Sequence, residues 1–293
     1  MAERFVIPDG LARAAAQQGR GDWLAGLPAL VAQVATDWKI GVGDPFLPGG
    51  ATAWVAPARD HEGRDLVLKV CWRHPEADHE ADGLRAWAGA GAIRLYRASG
   101  LAEATVLLLE RCRPGTLLRA SPAHEHDLVV ASLLRRLWIK PPPGHRFRPL
   151  SDMCDYWASR YEQRSPAERS CLQAPVAEEG IRLLRELPRS GGDALLLHTD
   201  LHAGNVLAAE REPWLAIDPK PYAGDPAYDV TQHIFNGVFI EGGDAGVLAS
   251  RMARLLDLDP GRILLWLFAR AVEASPYWAG MGDLARTLYC SLS

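Results

Sequence analysis

At 293 residues, 48% of them hydrophobic and 23% charged, the chain can fill more than one core and lacks the polar, strongly charged composition of a disordered protein. Its 32 basic and 36 acidic side chains leave a formal net charge of -4, which excludes the basic footprint of a nucleic-acid binder and favours a small-molecule partner. No apolar run approaches the roughly 18 residues of a membrane span, the charged start MAERFVIPDG has no secretory apolar region, and five cysteines without a CxxC pair argue against a disulfide framework or structural zinc, so the expected setting is reducing and cytoplasmic.

The first third reads as an amphipathic helix over about Leu27 to Trp38 followed by strands Ala51 to Ala58, Asp65 to Cys71, Ile93 to Arg97 and Thr105 to Glu110. A helix over about Pro75 to Ala88 interrupts them. From Ser121 onward helical spacing takes over in HDLVVASLLRRLW, SDMCDYWASRYEQR, VAEEGIRLLREL and GRILLWLFARAVEA. Two short strands, Asn205 to Ala209 and Trp214 to Ile217, flank the charged turn Glu210-Arg211-Glu212-Pro213. No period repeats, and the stiff Pro141-Pro142-Pro143-Gly144 turn is the one low-complexity patch. The expected organisation is α+β: a β-rich N-terminal lobe, 1–111, joined to a helical C-terminal lobe, 112–293.

Cation usage is uneven. Only Lys39, Lys69, Lys140 and Lys220 are lysines, which leaves 32 - 4 = 28 arginines. A lysine inside the apolar strand DLVLKVCW therefore needs a reason, because burying an ammonium without an anionic partner is unfavourable. A lysine snorkelling from the strand end also fits the local sequence.

The stretch LLLHTDLHAGNVLAAEREPWLAIDPK, residues 195–220, packs His198, Asp200, His202, Asn205 and Asp218 between apolar segments. Phosphoryl transfer needs a carboxylate near the attacking hydroxyl and oxygen ligands for a divalent cation, and Asp200, Asn205 and Asp218 supply that set. A metallohydrolase with zinc or iron on His198, Asp200 and His202 is the competing class; it leaves Asn205, Asp218 and Lys69 without work.

The loop H-T-D-L-H-A-G-N, the hairpin end L-A-I-D-P and the following GDPAYDV resemble the aminoglycoside phosphotransferase family, nearest its streptomycin 6-kinase and hydroxyurea phosphotransferase branch, from about Gly49 to Asn236. The resemblance implies a two-lobed protein-kinase-like fold with ATP and Mg2+ between the lobes and a small hydroxylated acceptor on the helical side. It makes Asp200 the catalytic base, Asn205 and Asp218 the magnesium ligands, and Asp229 a buried brace for the loop. Thr199 departs from it, since glycine or another small residue is expected there.

The same resemblance gives Lys69 the α/β-phosphates and a helix glutamate as partners. Glu80 is preferred over Glu76 because Leu84 and Trp87 after it would hold the helix on the sheet. Gly49 and Gly50, in LPGGATAW, are candidates for the turn over the phosphates; the stretch taken alone reads more readily as an ordinary hairpin turn, and its position ahead of Lys69 is what favours the phosphate reading. Glu110 and Cys112, in VLLLERCRPG, are candidates by backbone position for reading adenine, and a plain strand end is the alternative.

The arginine-rich helices read as solvated faces and the tryptophans, including Trp138, Trp157, Trp266 and Trp278, chiefly as core, with one or two near the C-terminus open to line the acceptor pocket. The family resemblance favours streptomycin, through its 6-hydroxyl, as the acceptor, which would imply antibiotic resistance; hydroxyurea or a metabolite alcohol stays open. A cationic acceptor would want carboxylates near the site, for which Glu241, Asp244 and Glu273 are candidates.

Overall fold

A computed structural model describes residues 5–75, 77–101, 103–169 and 171–292. The chain divides into two units, one running to Gly115 and including Ala209–Arg211, the other comprising Thr116–Ala208 and the chain from Glu212 onward.

The first unit begins with helices α1 (Asp9–Gln17) and α2 (Gly21–Trp38), then β1 (Ile40–Val42), β2 (Ala53–Asp60), β3 (Asp65–Trp72), α3 (Glu80–Trp87), β4 (Leu95–Gly100) and β5 (Ala104–Glu110). The strands form one antiparallel sheet in the order β1-β2-β3-β5-β4. Strand alternation explains the two characters of β3. Leu66, Leu68, Val70 and Trp72 face one side and join Leu11, Leu27, Val31 and Trp54 in the core, which is why α1 and α2 cover that face. Cys71 faces the other side with Ala53 and Ala77, and Lys69 shares that face by period two.

The expected elements are present with shifted edges. Helix α3 starts at Glu80 because residues 77–79 form a turn, and α1 and β1 were not expected. Helix α1 is short and alanine-rich, and its apolar signal reduces to Leu11 and Ala15, both fully buried.

The second unit contains α4 (Ala123–Leu137), α5 (Leu150–Glu162), the single turn α6 (Pro166–Arg169), α7 (Ala174–Glu186), β6 (Leu195–Leu197), β7 (Val206–Ala208), β8 (Trp214–Ala216), β9 (Tyr222–Gly224), the turn α8 (Pro226–Asp229), α9 (Thr231–Phe239), α10 (Ala245–Leu256), α11 (Pro260–Ala274) and α12 (Met281–Leu292). Helix α11 is its centre: Ile263, Trp266, Leu267, Phe268, Ala271 and Val272 are almost entirely buried. Gly180 of α7 lets the two helices meet, since a Cβ there would lie 2.4 Å from Val272 Cγ2.

Two antiparallel pairs, β6 with β9 and β7 with β8, frame the polar loop. Trp266 is core as expected, Trp138 is half-buried, and Trp278 is 64% exposed, which corrects its expected place in the interior. Among the described residues no helix is long and apolar enough to cross a membrane.

Candidate active site

In the first unit, Lys69 Nζ lies 2.7 Å from both carboxylate oxygens of Glu80, and both residues are buried. The strand face that Lys69 occupies and the first turn of α3 together supply the anionic partner that its burial requires. Glu76, the other carboxylate considered, lies outside the described residues.

Gly49 has φ +78, and a Cβ there would stand 2.6 Å from Pro8 Cβ, so packing on the N-terminal segment alone demands glycine; Gly50 follows it in an irregular stretch. Glu110, at the end of β5, accepts from Arg211 Nε at 2.8 Å, from its second guanidinium nitrogen at 2.9 Å and from the Arg94 amide at 2.9 Å. Arg211 also donates to the carbonyls of Gly89 and Ala92, so the turn that carries it is fastened to this unit. Cys112 is buried, and burial pushes its thiol up to about 12.

The second unit holds the polar loop. After β6 the chain passes His198 and Thr199, the latter in the left-handed region at φ +58, where glycine would sit without steric cost. Asp229, fully buried in α8, accepts from the backbone amides of His198 (2.9 Å) and Thr199 (2.6 Å) and from the Trp138 indole (3.0 Å). Burial pushes its carboxyl up to about 6, while these three donors act the other way. The expected brace is present.

Asp200 follows, its side chain 16% exposed. Asn205 Nδ2 donates to the Asp200 carbonyl at 2.9 Å and approaches Asp200 Oδ2 at 3.3 Å. Because the amide nitrogen is turned toward Asp200, the Asn205 carbonyl oxygen faces away from it. The Ile217 amide donates to the Asn205 backbone carbonyl at 2.9 Å and so ties the loop to the end of β8, immediately before Asp218. Asp218 itself sits at φ +57 and bears electrostatically on His198.

Both imidazoles have structural work. His198 is fully buried, its Nε2 3.1 Å from the Ile217 carbonyl and its Nδ1 accepting from the Asp200 amide at 3.3 Å, so the neutral tautomer carries its proton on Nε2. Burial lowers its pKa to about 4. His202 Nδ1 accepts from the Gly204 amide at 3.0 Å and caps the short 3-10 turn that carries Asn205. Since backbone groups occupy both ring nitrogens of His198, the zinc or iron site on His198, Asp200 and His202 loses a ligand, and among the described residues no group of three or more His, Cys, Asp or Glu has metal-holding geometry.

Lys220 was not among the expected site residues. Its ammonium lies 2.5 Å from Asp200 Oδ2, its amide donates to the His198 carbonyl at 3.0 Å, and its carbonyl accepts from Thr199 Oγ1 at 2.5 Å. Scarcity of lysine was the signal that could have found it, as it found Lys69.

The three carboxylates expected to meet the acceptor have other engagements. Glu241 accepts from His126 Nδ1 at 2.8 Å, Asp244 caps α10 through the Val247 amide at 2.8 Å, and Glu273 is buried in α11 and accepts from the Tyr277 hydroxyl. Among the described contacts none of them touches Asp200, Asn205 or Asp218.

Comparison with known proteins agrees with this geometry. Residues 42–282 match the family described as aminoglycoside/hydroxyurea antibiotic resistance kinase. A streptomycin 6-kinase of Streptomyces griseus is 37% identical over 92% of this chain and 90% of its own, and a hydroxyurea phosphotransferase of Kitasatospora aureofaciens is 33% identical over 90% and 76%. The crystal structure of the choline kinase LicA from Streptococcus pneumoniae superposes with a TM-score of 0.62 at 12% identity, covering 90% of this chain and 98% of that one, which identifies the shared fold as protein-kinase-like. The chain belongs to the aminoglycoside/hydroxyurea antibiotic resistance kinase family and is a small-molecule kinase.

Proposed function

We propose that the protein transfers the γ-phosphoryl group of ATP, with magnesium, to a hydroxyl of an aminoglycoside, streptomycin at its 6-hydroxyl being the favoured acceptor. The observation that carries this reading is the Asn205 amide held against Asp200: its nitrogen engages Asp200, which leaves the Asn205 side-chain oxygen for a cation and keeps the Asp200 carboxylate for the acceptor. Asn205 Oδ1 and the Asp218 carboxylate are hard oxygen ligands of the kind magnesium takes, and they are the residues that would hold it. Bound there, the ion would neutralise charge on the phosphates.

The residues of the chain do the rest. Asp200 accepts the proton of the acceptor hydroxyl as the new O–P bond forms and the bond from the γ-phosphorus to the bridging oxygen breaks, its electron pair leaving on ADP. Lys69, oriented by Glu80, takes the α/β-phosphates. Gly49 and Gly50 cover the phosphates, and the backbone at Glu110 and Cys112 meets adenine. The choice of streptomycin rests on the Streptomyces griseus relative and its coverage of both chains.

ATP consumption measured with streptomycin, other aminoglycosides, hydroxyurea and small amino alcohols tests the reading. Streptomycin-dependent ADP release, with one phosphoryl group found on the 6-hydroxyl by NMR, is the expected result. Turnover of hydroxyurea alone would move the acceptor to that branch, and no ADP release with any acceptor would overturn the reading.

A further inference from the structure

Lys220 sits in Asp218-Pro219-Lys220-Pro221, between two prolines that restrict the backbone on either side. Its amide and carbonyl are both tied to the loop, to His198 and Thr199, so backbone and ammonium alike join this residue to the segment that ends at Asp200. The side chain is 30% exposed, so burial does not demand an ion pair here as it does at Lys69. The chain uses arginine 28 times and lysine four times, as 32 - 4 = 28 shows, and arginine would be the ordinary cation for a half-exposed pair. A compact ammonium occupies one carboxylate oxygen and leaves the second open, whereas a guanidinium can also bind through one nitrogen but favours a fork across both oxygens and would do this less well.

The geometry at Asp200 follows that logic. Oδ2 receives Lys220 Nζ at 2.5 Å and Asn205 Nδ2 at 3.3 Å. Oδ1 accepts no hydrogen bond among the described contacts and faces His202 Nε2 at 4.0 Å. The two oxygens of one carboxylate are thus made inequivalent.

We propose that Lys220 is a positioning residue for phosphoryl transfer: by pinning Oδ2 it presents Oδ1 as the oxygen that takes the acceptor's proton. The proposal rests on Asp200 being the base. In the transfer, the acceptor O–H bond breaks and its proton goes to Oδ1, the acceptor oxygen bonds to the γ-phosphorus, and the bridging bond breaks with its electron pair on ADP.

The test combines Lys220→Met, Lys220→Arg and Lys220→Gln with Asp200→Asn in a double-mutant cycle. Lys220→Met is expected to lower kcat on the order of 10²-fold, the scale of a misplaced catalytic group, while the affinity for a non-hydrolysable ATP analogue, measured by calorimetry, changes by less than about threefold. Lys220→Arg should recover part of the loss and Lys220→Gln none. In the Asp200→Asn background Lys220→Met should add almost nothing, because the carboxylate it orients is gone. An unchanged kcat, a loss of analogue binding equal to the loss of turnover, an arginine variant no better than glutamine, or a full additional loss on top of Asp200→Asn would each overturn the proposal. Full turnover in Asp200→Asn alone would instead remove the underlying reading of the base, and the two failures are read from different variants.

Discussion

The two lysine–carboxylate pairs of this protein are built for opposite ends. At Lys69 and Glu80 the side chains are 10% and 4% exposed, and the ammonium lies at the same 2.7 Å from both carboxylate oxygens. At Lys220 and Asp200 they are 30% and 16% exposed, and the ammonium takes one oxygen. A symmetric, buried pair engages both oxygens of its carboxylate with the same ammonium; its work is to hold a lysine in place. A one-sided, wetter pair keeps an oxygen open for chemistry. The difference teaches that the number of carboxylate oxygens engaged, more than the length of the contact, separates an anchor from a reactive group.

Breaking each pair should therefore produce opposite phenotypes. Glu80→Ala leaves a buried ammonium without its carboxylate, and the expected loss of stability in urea unfolding is about 3–5 kcal/mol; replacing both members of the pair by apolar residues should restore most of it without restoring ATP use. Asp200→Asn keeps the shape of the side chain in a pair that retains contact with solvent, so it should change stability by less than Glu80→Ala does, while lowering kcat at least roughly 10²-fold with ATP affinity nearly unchanged. A destabilisation equal to that of Glu80→Ala would erase the distinction between the two pairs.

Glu273 sharpens the comparison as a buried carboxyl without a lysine. Burial pushes its pKa up from 4.5 to about 7, against Arg270, Arg160 and Arg164. The folded protein holds this proton at pH values where the unfolded chain has released it, so the residue's contribution is full below about 4.5 and declines as pH rises to about 7. Glu273→Gln should match the wild type in unfolding free energy at the acid end and exceed it by up to about 3 kcal/mol at pH 8. Parallel stability curves from acid to alkaline pH would show that folding leaves the pKa of this carboxyl unchanged. The smallest effect belongs to Asp244→Ala, which removes a helix cap at about 1 kcal/mol and should leave the KM for acceptor unchanged. A raised KM would return Asp244 to the acceptor site.

Local features were the readable ones. The period of two in DLVLKVCW, set against the scarcity of lysine, predicted that Lys69 would need a carboxylate, and the five-residue interval from Asp200 to Asn205 is a property of one turn. Contacts between distant segments left no comparable trace. Lys220 lies 20 positions from Asp200 and Arg211 lies 101 from Glu110, and neither turn advertises where its cation will land. Asp244 is a different case: an aspartate directly before an apolar helical run is a helix-start signal, and that signal outweighs the argument from charge alone. Glu273 is buried because its helix is apolar on nearly every side, and the charge argument that made it a candidate for the acceptor carries no information on burial.

Thr199 and Asp218 are both non-glycine residues in the left-handed region, one immediately before the proposed base and the other a proposed magnesium ligand. Such backbone persists only where the surroundings over-determine it, and here the Asp229 carboxylate and the Lys220 carbonyl do so at Thr199. The segment leading into Asp200 is in effect pre-tensioned: the contacts that fix the loop's position also hold Thr199 in a backbone that glycine would adopt without cost, so Thr199→Gly should relax the loop without moving it.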